Sequence, residues 1–322
     1  MKSIHWLVPH KVKEPKDISL SNIASIRLRT ALFNLPIFND YKLTINESIV
    51  DLDKIDCLFI SKFPSNREDL LTNWLNIIEN HRDNDKKIFF DYTDHHLDKE
   101  TLAGQFYRAL LNPNDQIITS SEKLKSHLNS NFKNITVIED PIEIGIQKVK
   151  KSRESSFLFF GHHTNLKYLF NLINNWNSKI QSNLIILTSD EGMGEIRNQS
   201  QHISKPPNLN IQFQLWSVEN MLKVSHNVSG VIIPGDISDE RKNGVSHNRL
   251  ITAFALGLPV AATRYESYLE FDNQFVDIDN QTEFENFLHN PSLYSSRVEM
   301  AQKNVKNYTQ ENIAQKWLNL IR

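Results

Sequence analysis

Gly230-Val231-Ile232-Ile233-Pro234-Gly235-Asp236 leads through a polar stretch to Lys242-Asn243-Gly244-Val245-Ser246-His247-Asn248-Arg249, and then to Leu250–Gly257-Leu258-Pro259-Val260. The apolar run reads as a buried strand, the polar stretch as a glycine-containing loop, and the last segment as a helix starting near Ser246. A helix N-terminus leaves N–H groups unpaired and carries roughly half a positive charge, so it attracts phosphate. Lys242 before it and Arg249 in its first turn add full charges suited to a diphosphate. The plainer alternative is that Ser246 only caps the helix while Lys242 and Arg249 are surface residues.

Outward from this stretch, short apolar runs alternate with longer amphipathic segments, the pattern of parallel sheets flanked by helices. In the first half, strands are expected at Ser3–Val8, Cys57–Ser61, Lys87–Asp91, Gln116–Thr119 and Thr136–Ile138. Helices are expected at Asn22–Phe33, Arg67–His81, Thr101–Leu111 and Ser121–Asn129. The polar stretch Gln147–Ser156 has no apolar periodicity and reads as a solvated linker. Alternation then restarts with strands at Phe157–Phe160, Leu184–Thr188, Ile211–Leu215, Gly230–Ile233 and Pro259–Ala262. Helices are expected at Leu166–Asn175, Val218–Val224 and Ser246–Leu256, with a last helical segment over Ser292–Ile321 broken near Asn307–Thr309. The expected architecture is α/β, with two doubly wound Rossmann-like domains facing across a cleft. Residues 1–147 form the first, 148–305 the second, and a C-terminal helix over 306–322 packs back on the first. Ligands in such sheets bind outside the carboxyl ends of the strands.

The bulk composition narrows the function. The 322 residues are 39 % hydrophobic and 23 % charged, as in globular proteins. A net charge of −2 gives no basic surface of the kind nucleic acids demand. Cys57, the sole cysteine, sits in an apolar run, so it is expected as a buried thiol in a reducing compartment. The N-terminus resembles no signal peptide and no stretch reaches the ~20 apolar residues that span a bilayer. A soluble, cytoplasmic protein is expected.

Pro234, Lys242, Ser246-His247-Asn248-Arg249, Ala255-Leu256-Gly257-Leu258-Pro259-Val260 and Tyr268-Leu269-Glu270 resemble the donor-binding segment of GT-B glycosyltransferases. Thr119–Leu124 with Val137–Ile142 resembles the end of such an N-terminal domain, and Phe159-Phe160-Gly161-His162 the first strand and loop of the donor domain. The resemblance implies a nucleotide-sugar donor gripped by its diphosphate and ribose, with donor-binding roles for Gly161, His162, Thr188, Trp216, Lys242, Ser246, His247, Asn248, Arg249 and Glu270. It also implies no cofactor and no metal, because the helix end and basic groups neutralise the leaving diphosphate. Two glutamates that many retaining members carry are replaced by Gly244 and Thr252.

Further candidates come from the residues themselves. Gly161 permits close backbone approach to a ligand, while Asn165 is a plain helix-cap alternative. By the same resemblance Trp216 borders the nucleobase as a platform; by residue type alone it is equally a packing residue. In Phe89-Phe90-Asp91-Tyr92-Thr93-Asp94-His95-His96 an apolar strand runs into carboxylates and imidazoles, which places Asp94 first and His95 second as general base. The alternative has Asp91 bonded to neighbouring backbone and solvated histidines. Ser21–Arg29 resembles a helix beside the cleft in some GT-B members, with Arg27 toward donor phosphates or an anionic acceptor; otherwise both arginines face outward. The leading reading is sugar transfer to a hydroxyl of a glycan or lipid-linked acceptor, with room for a membrane-associated biosynthetic complex and none for nucleic acid. A non-catalytic nucleotide- or glycan-binding subunit and a nucleotide-sugar epimerase or hydrolase are the alternatives. A nicotinamide-dependent oxidoreductase is excluded, since Pro9-His10-Lys11 stands where Gly-x-Gly-x-x-Gly belongs.

Overall fold

The computed structural model describes residues 1–21, 23–84, 86–199 and 206–322. They cluster into two compact units, one of residues 1–141, 244–246 and 308–322 and the other of 142–243 and 247–307. Each carries a six-stranded, parallel sheet.

The first sheet comprises β1 (Lys2–Leu7), β2 (Tyr41–Asn46), β3 (Cys57–Ile60), β4 (Lys87–Tyr92), β5 (Gln116–Thr119) and β6 (Asn134–Val137) in the order β2-β1-β3-β4-β5-β6. Every residue of β3 and all but the first of β1 are buried, as both faces of a parallel sheet are covered. Register sets Trp6 opposite Phe59 and Phe59 opposite Phe89. Their rings stack at 4.8 and 4.6 Å. Helix Gln310–Ile321 adds Trp317 to this layer, edge-on to Trp6 at 5.6 Å and to Phe59 at 5.8 Å. Thr309 starts that helix by accepting from the Asn312 amide at 3.4 Å. The buried Cys57 thiol has its pKa pushed up by burial.

β2 is absent from the expected strands because, as an edge strand, it buries only Ile45 and shows no apolar run. The expected helix Asn22–Phe33 begins at a residue outside those described; what is described is Ala24–Thr30 followed by a 3-10 turn Ala31–Asn34. Thr101 and Ser121 cap Leu102–Leu110 and Glu122–Leu128, accepting from Gly104 and Leu124 amides at 3.2 and 3.0 Å.

Among the buried histidines of this unit, His5 and His81 carry lowered pKa values. His5 on β1 bonds Thr44 Oγ1 at 2.8 Å, and His81 lies on helix Glu68–Asp83. Burial pushes each imidazole down to about 4, and proximity adds mutual repulsion at His5. Folding therefore favours the neutral rings. Their contribution is intact above the ordinary value of 6.5 and is lost as pH falls from there toward 4, at up to about 1.4 kcal/mol per pH unit for each ring. His81→Leu is accordingly predicted to flatten the acid-side loss of stability by about 1 kcal/mol per pH unit. Urea unfolding at pH 7, 6 and 5 reads this; parallel slopes for the two proteins would contradict it.

The second sheet comprises β7 (Ser156–Phe160), β8 (Ser182–Thr188), β9 (Leu209–Leu215), β10 (Gly230–Ile233), β11 (Val260–Ala262) and β12 (Val276–Asp277) in the order β12-β11-β10-β7-β8-β9. Phe157, Phe159, Leu169, Ile173, Ile186 and Phe287 form its buried centre. Helices Asp190–Gln199 and Gln281–His289 and the two-residue β12 were not legible as elements. The segment read as a solvated linker is tied down instead. Gln147 and Lys150 amides donate to the carbonyls of Ala255 and Gly257 at 2.6 and 2.8 Å, and Lys150 Nζ donates to His226 at 2.6 Å. Among the described residues no helix is long and apolar enough to cross a membrane.

Candidate active site

In the second sheet the strand order reverses between β7 and β10, so the loops after these two strands flank the crevice where a doubly wound sheet takes its ligand. Gly161 opens the first loop. Its amide donates to Leu187 at 3.1 Å and its carbonyl accepts from the buried Thr188 hydroxyl at 2.9 Å, so Thr188 serves to fix the loop. A Cβ at Gly161 would lie 3.5 Å from Arg249 Nη1, which sets the guanidinium against the glycine backbone. Arg249 Nη1 is buried and makes no hydrogen bond among the described residues. Beside it is the buried Tyr268 phenol, whose pKa is raised by burial against the pull of the Arg249 charge.

Helix Asn248–Ala255 begins later than the sequence suggests. The N-cap position falls to His247, with Ser246 ahead of it and Asn248 as the first helical residue. His247 is buried, paired with Glu270 and edge-on to Phe271 at 5.4 Å, so its ring is committed to holding that carboxylate rather than to capping. Glu270 itself stays exposed. The helix ends in a Schellman turn. Gly257, at φ +73°, donates to Phe254 at 3.0 Å, and Leu258 donates to Ala253 at 3.2 Å. A side chain at Gly257 would put Cβ 2.3 Å from the Lys148 carbonyl, which is the physical reason for glycine in the Gly-x-Pro-Val turn.

Lys242 lies half-buried on the single turn Glu240–Asn243. His162 is exposed, and its Nδ1 accepts from the Thr164 amide at 3.5 Å, so His162 caps this turn and Asn165 makes no side-chain cap. Trp216, half-buried after β9, donates its amide to Thr188 at 2.8 Å. The structure thus places both Thr188 and Arg249 beside Gly161, and His247 with Glu270 in a separate pair.

In the first sheet, β4 delivers Asp94 and His95 beyond its carboxyl end. Asp94 is mostly buried and its Oδ2 is bound to Lys62 from the loop after β3. The Tyr92 hydroxyl accepts from the amides of His96 and Leu97 at 2.7 and 3.1 Å and so donates to His95 Nδ1, 3.2 Å away. His95 Nε2 is then the protonated nitrogen and donates to Asp98 at 2.7 Å, while the ring stacks on His127 at 4.8 Å. Both His95 nitrogens are occupied by the scaffold. The histidines are buried, not solvated as the alternative had it.

No family model matches the chain, and no curated protein does. Solved structures do. AviGT4, a glycosyltransferase involved in avilamycin A biosynthesis, aligns at TM-score 0.58 with 12 % identity over 99 % of this chain and 96 % of that one. The DNA-modifying enzyme β-glucosyltransferase, solved with and without uridine diphosphoglucose, gives 0.60 with 14 % identity over 98 % and 97 %. T4 phage BGT in complex with UDP and Mn2+ gives 0.55 with 13 % identity over 98 % and 98 %. The chain has the GT-B fold.

Within this GT-B chain the residue least visible in the sequence is Arg29. It is fully buried, donates through Nε to both Asp91 oxygens at 2.8 and 3.0 Å, and through Nη1 to the Ile138 carbonyl at 2.6 Å and Asp140 at 3.1 Å. Its guanidinium also lies 5.0 Å from the Trp317 ring centre. Asp91 therefore pairs with a distant arginine rather than with neighbouring backbone. Arg27 is buried too and donates to the Ser21 carbonyl at 2.8 Å, so neither arginine faces outward. Among the described residues no three His, Cys, Asp or Glu side chains gather as ligands for a metal ion.

Proposed function

We propose that this protein is a glycosyltransferase that moves a sugar from a nucleoside diphosphate donor to a hydroxyl of a glycan or lipid-linked acceptor. The observation that carries the reading is the Arg249 guanidinium, its Nη1 buried and set against Gly161 at the reversal point of the second sheet, with the Tyr268 phenol as its hydrogen-bonding neighbour. A neutral phenol supplies no counter-charge, so an anion arriving there is favoured. The first turn of helix Asn248–Ala255 adds backbone donors and a partial positive charge beside it.

The acceptor oxygen attacks the anomeric carbon, its proton passes to Asp94, and the bond from the anomeric carbon to the phosphate oxygen breaks. The diphosphate leaves with the electron pair, stabilised by Arg249, Lys242 and the helix end without a metal. A single displacement inverts the anomeric centre, in keeping with Gly244 and Thr252 where carboxylates would serve retention. Glu270, held by His247, is assigned to the donor ribose, and Trp216 to the base. Arg27 and His162 are assigned to acceptor and donor anions. The single buried thiol supports a reducing, cytoplasmic setting.

UDP-sugars are the first donors to test. Arg249→Met is predicted to lower kcat/KM for the donor about 100-fold or more, with little change in unfolding free energy. EDTA is expected to leave the wild-type rate within about twofold. Turnover by Arg249→Met at the wild-type rate would remove the assigned phosphate site. Tight UDP binding with no turnover of any donor would favour the non-catalytic reading.

A further inference from the structure

The loop from Gly235 to Asn243, which carries Lys242, is fastened at three points. At its start, the Asp236 amide donates to the Tyr265 hydroxyl at 3.0 Å. At its end, Asn243 and Glu266 exchange two bonds, at 3.0 and 2.8 Å. In the middle, the Tyr168 hydroxyl donates to Asp239 Oδ2 at 2.6 Å and lies in hydrogen-bonding reach of Arg241. Asp239 in turn begins the turn Glu240–Asn243, its carbonyl accepting from the amides of Lys242 and Asn243 at 2.7 and 3.0 Å.

The first two fastenings fix the ends of a loop, and neither sets the pitch of the short turn between them. A four-residue helix cannot hold itself together in water, because nucleation costs more than its few hydrogen bonds return. Its geometry is imposed from outside. The outside contact is a phenol on helix Leu166–Asn174, the helix that follows the Gly161 loop. Tyr168 is 7 % exposed and Asp239 half-buried, so their hydrogen bond is partly shielded from solvent, and Lys167 Nζ adds a weaker 3.3 Å contact to the same carboxylate. The hydroxyl therefore connects the helix that follows the first of the two loops flanking the reversal point to the second loop.

We propose that Tyr168 is a positioning residue that acts through Asp239 to place Lys242 for the donor diphosphate. The inference rests on the glycosyltransferase reading for its ligand, and on the hydrogen-bonded geometry alone for the clasp. The clasp makes Tyr168 invisible to any search for ligand contacts, since removing its oxygen takes nothing from the donor directly.

Tyr168→Phe deletes the oxygen and keeps the ring. A hydrogen bond to a charged group is worth enough to shift a local equilibrium about tenfold, so the donor KM is expected to rise about 5- to 10-fold while kcat stays within about twofold. In a Lys242→Ala background the same change should alter KM less than about twofold, since residues acting through one another are non-additive. The urea midpoint should fall equally in both backgrounds. An equal KM effect in both backgrounds, or none in either, would overturn the proposal. Amide hydrogen exchange separates the clasp from the enzyme assignment. Tyr168→Phe is expected to speed exchange at Lys242 and Asn243, and unchanged exchange would overturn the clasp whether or not any donor is turned over. Absence of donor turnover in the wild type, with faster exchange in the variant, would count against the glycosyltransferase reading alone.

Discussion

Asp94→Asn is expected to lower kcat by about 10²- to 10⁴-fold while leaving the donor KM nearly unchanged. Asparagine keeps the shape of the side chain and a contact to Lys62 but has no basic oxygen to receive the acceptor proton, and general base catalysis is typically worth that factor. The Lys62 pair holds Oδ2 and so fixes the carboxylate plane relative to β4. The folded state should hardly notice the change, because a partly exposed ion pair contributes at most about 1 kcal/mol. Steady-state kinetics with donor and acceptor varied separately, together with a urea curve, distinguish these effects. A kcat retained within a factor of about three would remove Asp94 from the mechanism. His95→Gln provides the contrast: both its nitrogens are engaged by Tyr92 and Asp98, so stability and not the chemical step should respond.

Arg29→Met should cost about 3–5 kcal/mol of folding free energy, since it strands Asp91 and Asp140 in the interior without their counter-charge. The loss should depend on pH. Burial already raises the Asp91 carboxyl to about 6 against the opposing pull of Arg29, and removing that pull raises it further. A carboxyl whose folded pKa lies above the ordinary 3.8 stabilises the fold in acid, and that contribution is lost as pH rises through the folded value. The deficit of Arg29→Met should thus be larger at pH 8 than at pH 5. Arg29→Met with Asp91→Leu should recover part of it, because replacing both partners by apolar groups removes the stranded charge. Urea unfolding of the three proteins at the two pH values decides this. A deficit below about 1 kcal/mol would mean that the pair is hydrated rather than buried.

These residues also mark what a sequence can and cannot disclose. The strands at β3, β7 and β10 announce themselves, since a parallel strand covered on both faces is a continuous apolar run. β2 and β12 lie at sheet edges, one half-exposed and the other two residues long, and leave no such trace. The helix after β10 was legible, but it starts at Asn248 rather than Ser246, with His247 at the N-cap and its ring paired with Glu270. Arg249 and Gly161 were each legible as candidates; that they lie side by side was not, because they stand 88 positions apart and only the sheet topology brings them together. Arg29 received no partner from the sequence, and only an outward-facing alternative, for the same reason. Its partners lie 62 and 111 positions away, and no local pattern distinguishes an arginine that will meet them from one that will not.

The placement of Trp317 against Trp6, Phe59 and Arg29 has a consequence for biosynthesis. A ribosome delivers β1 long before Trp317, yet the aromatic layer over that strand stays incomplete until residue 317 has left the exit tunnel. The second unit, whose strands run from Ser156 to Asp277, can close while the opening one is still waiting for its last piece. The part translated earliest is the part finished latest, so nascent chains halted short of Gln310 would carry a completed second half and a first half with its tryptophan uncovered.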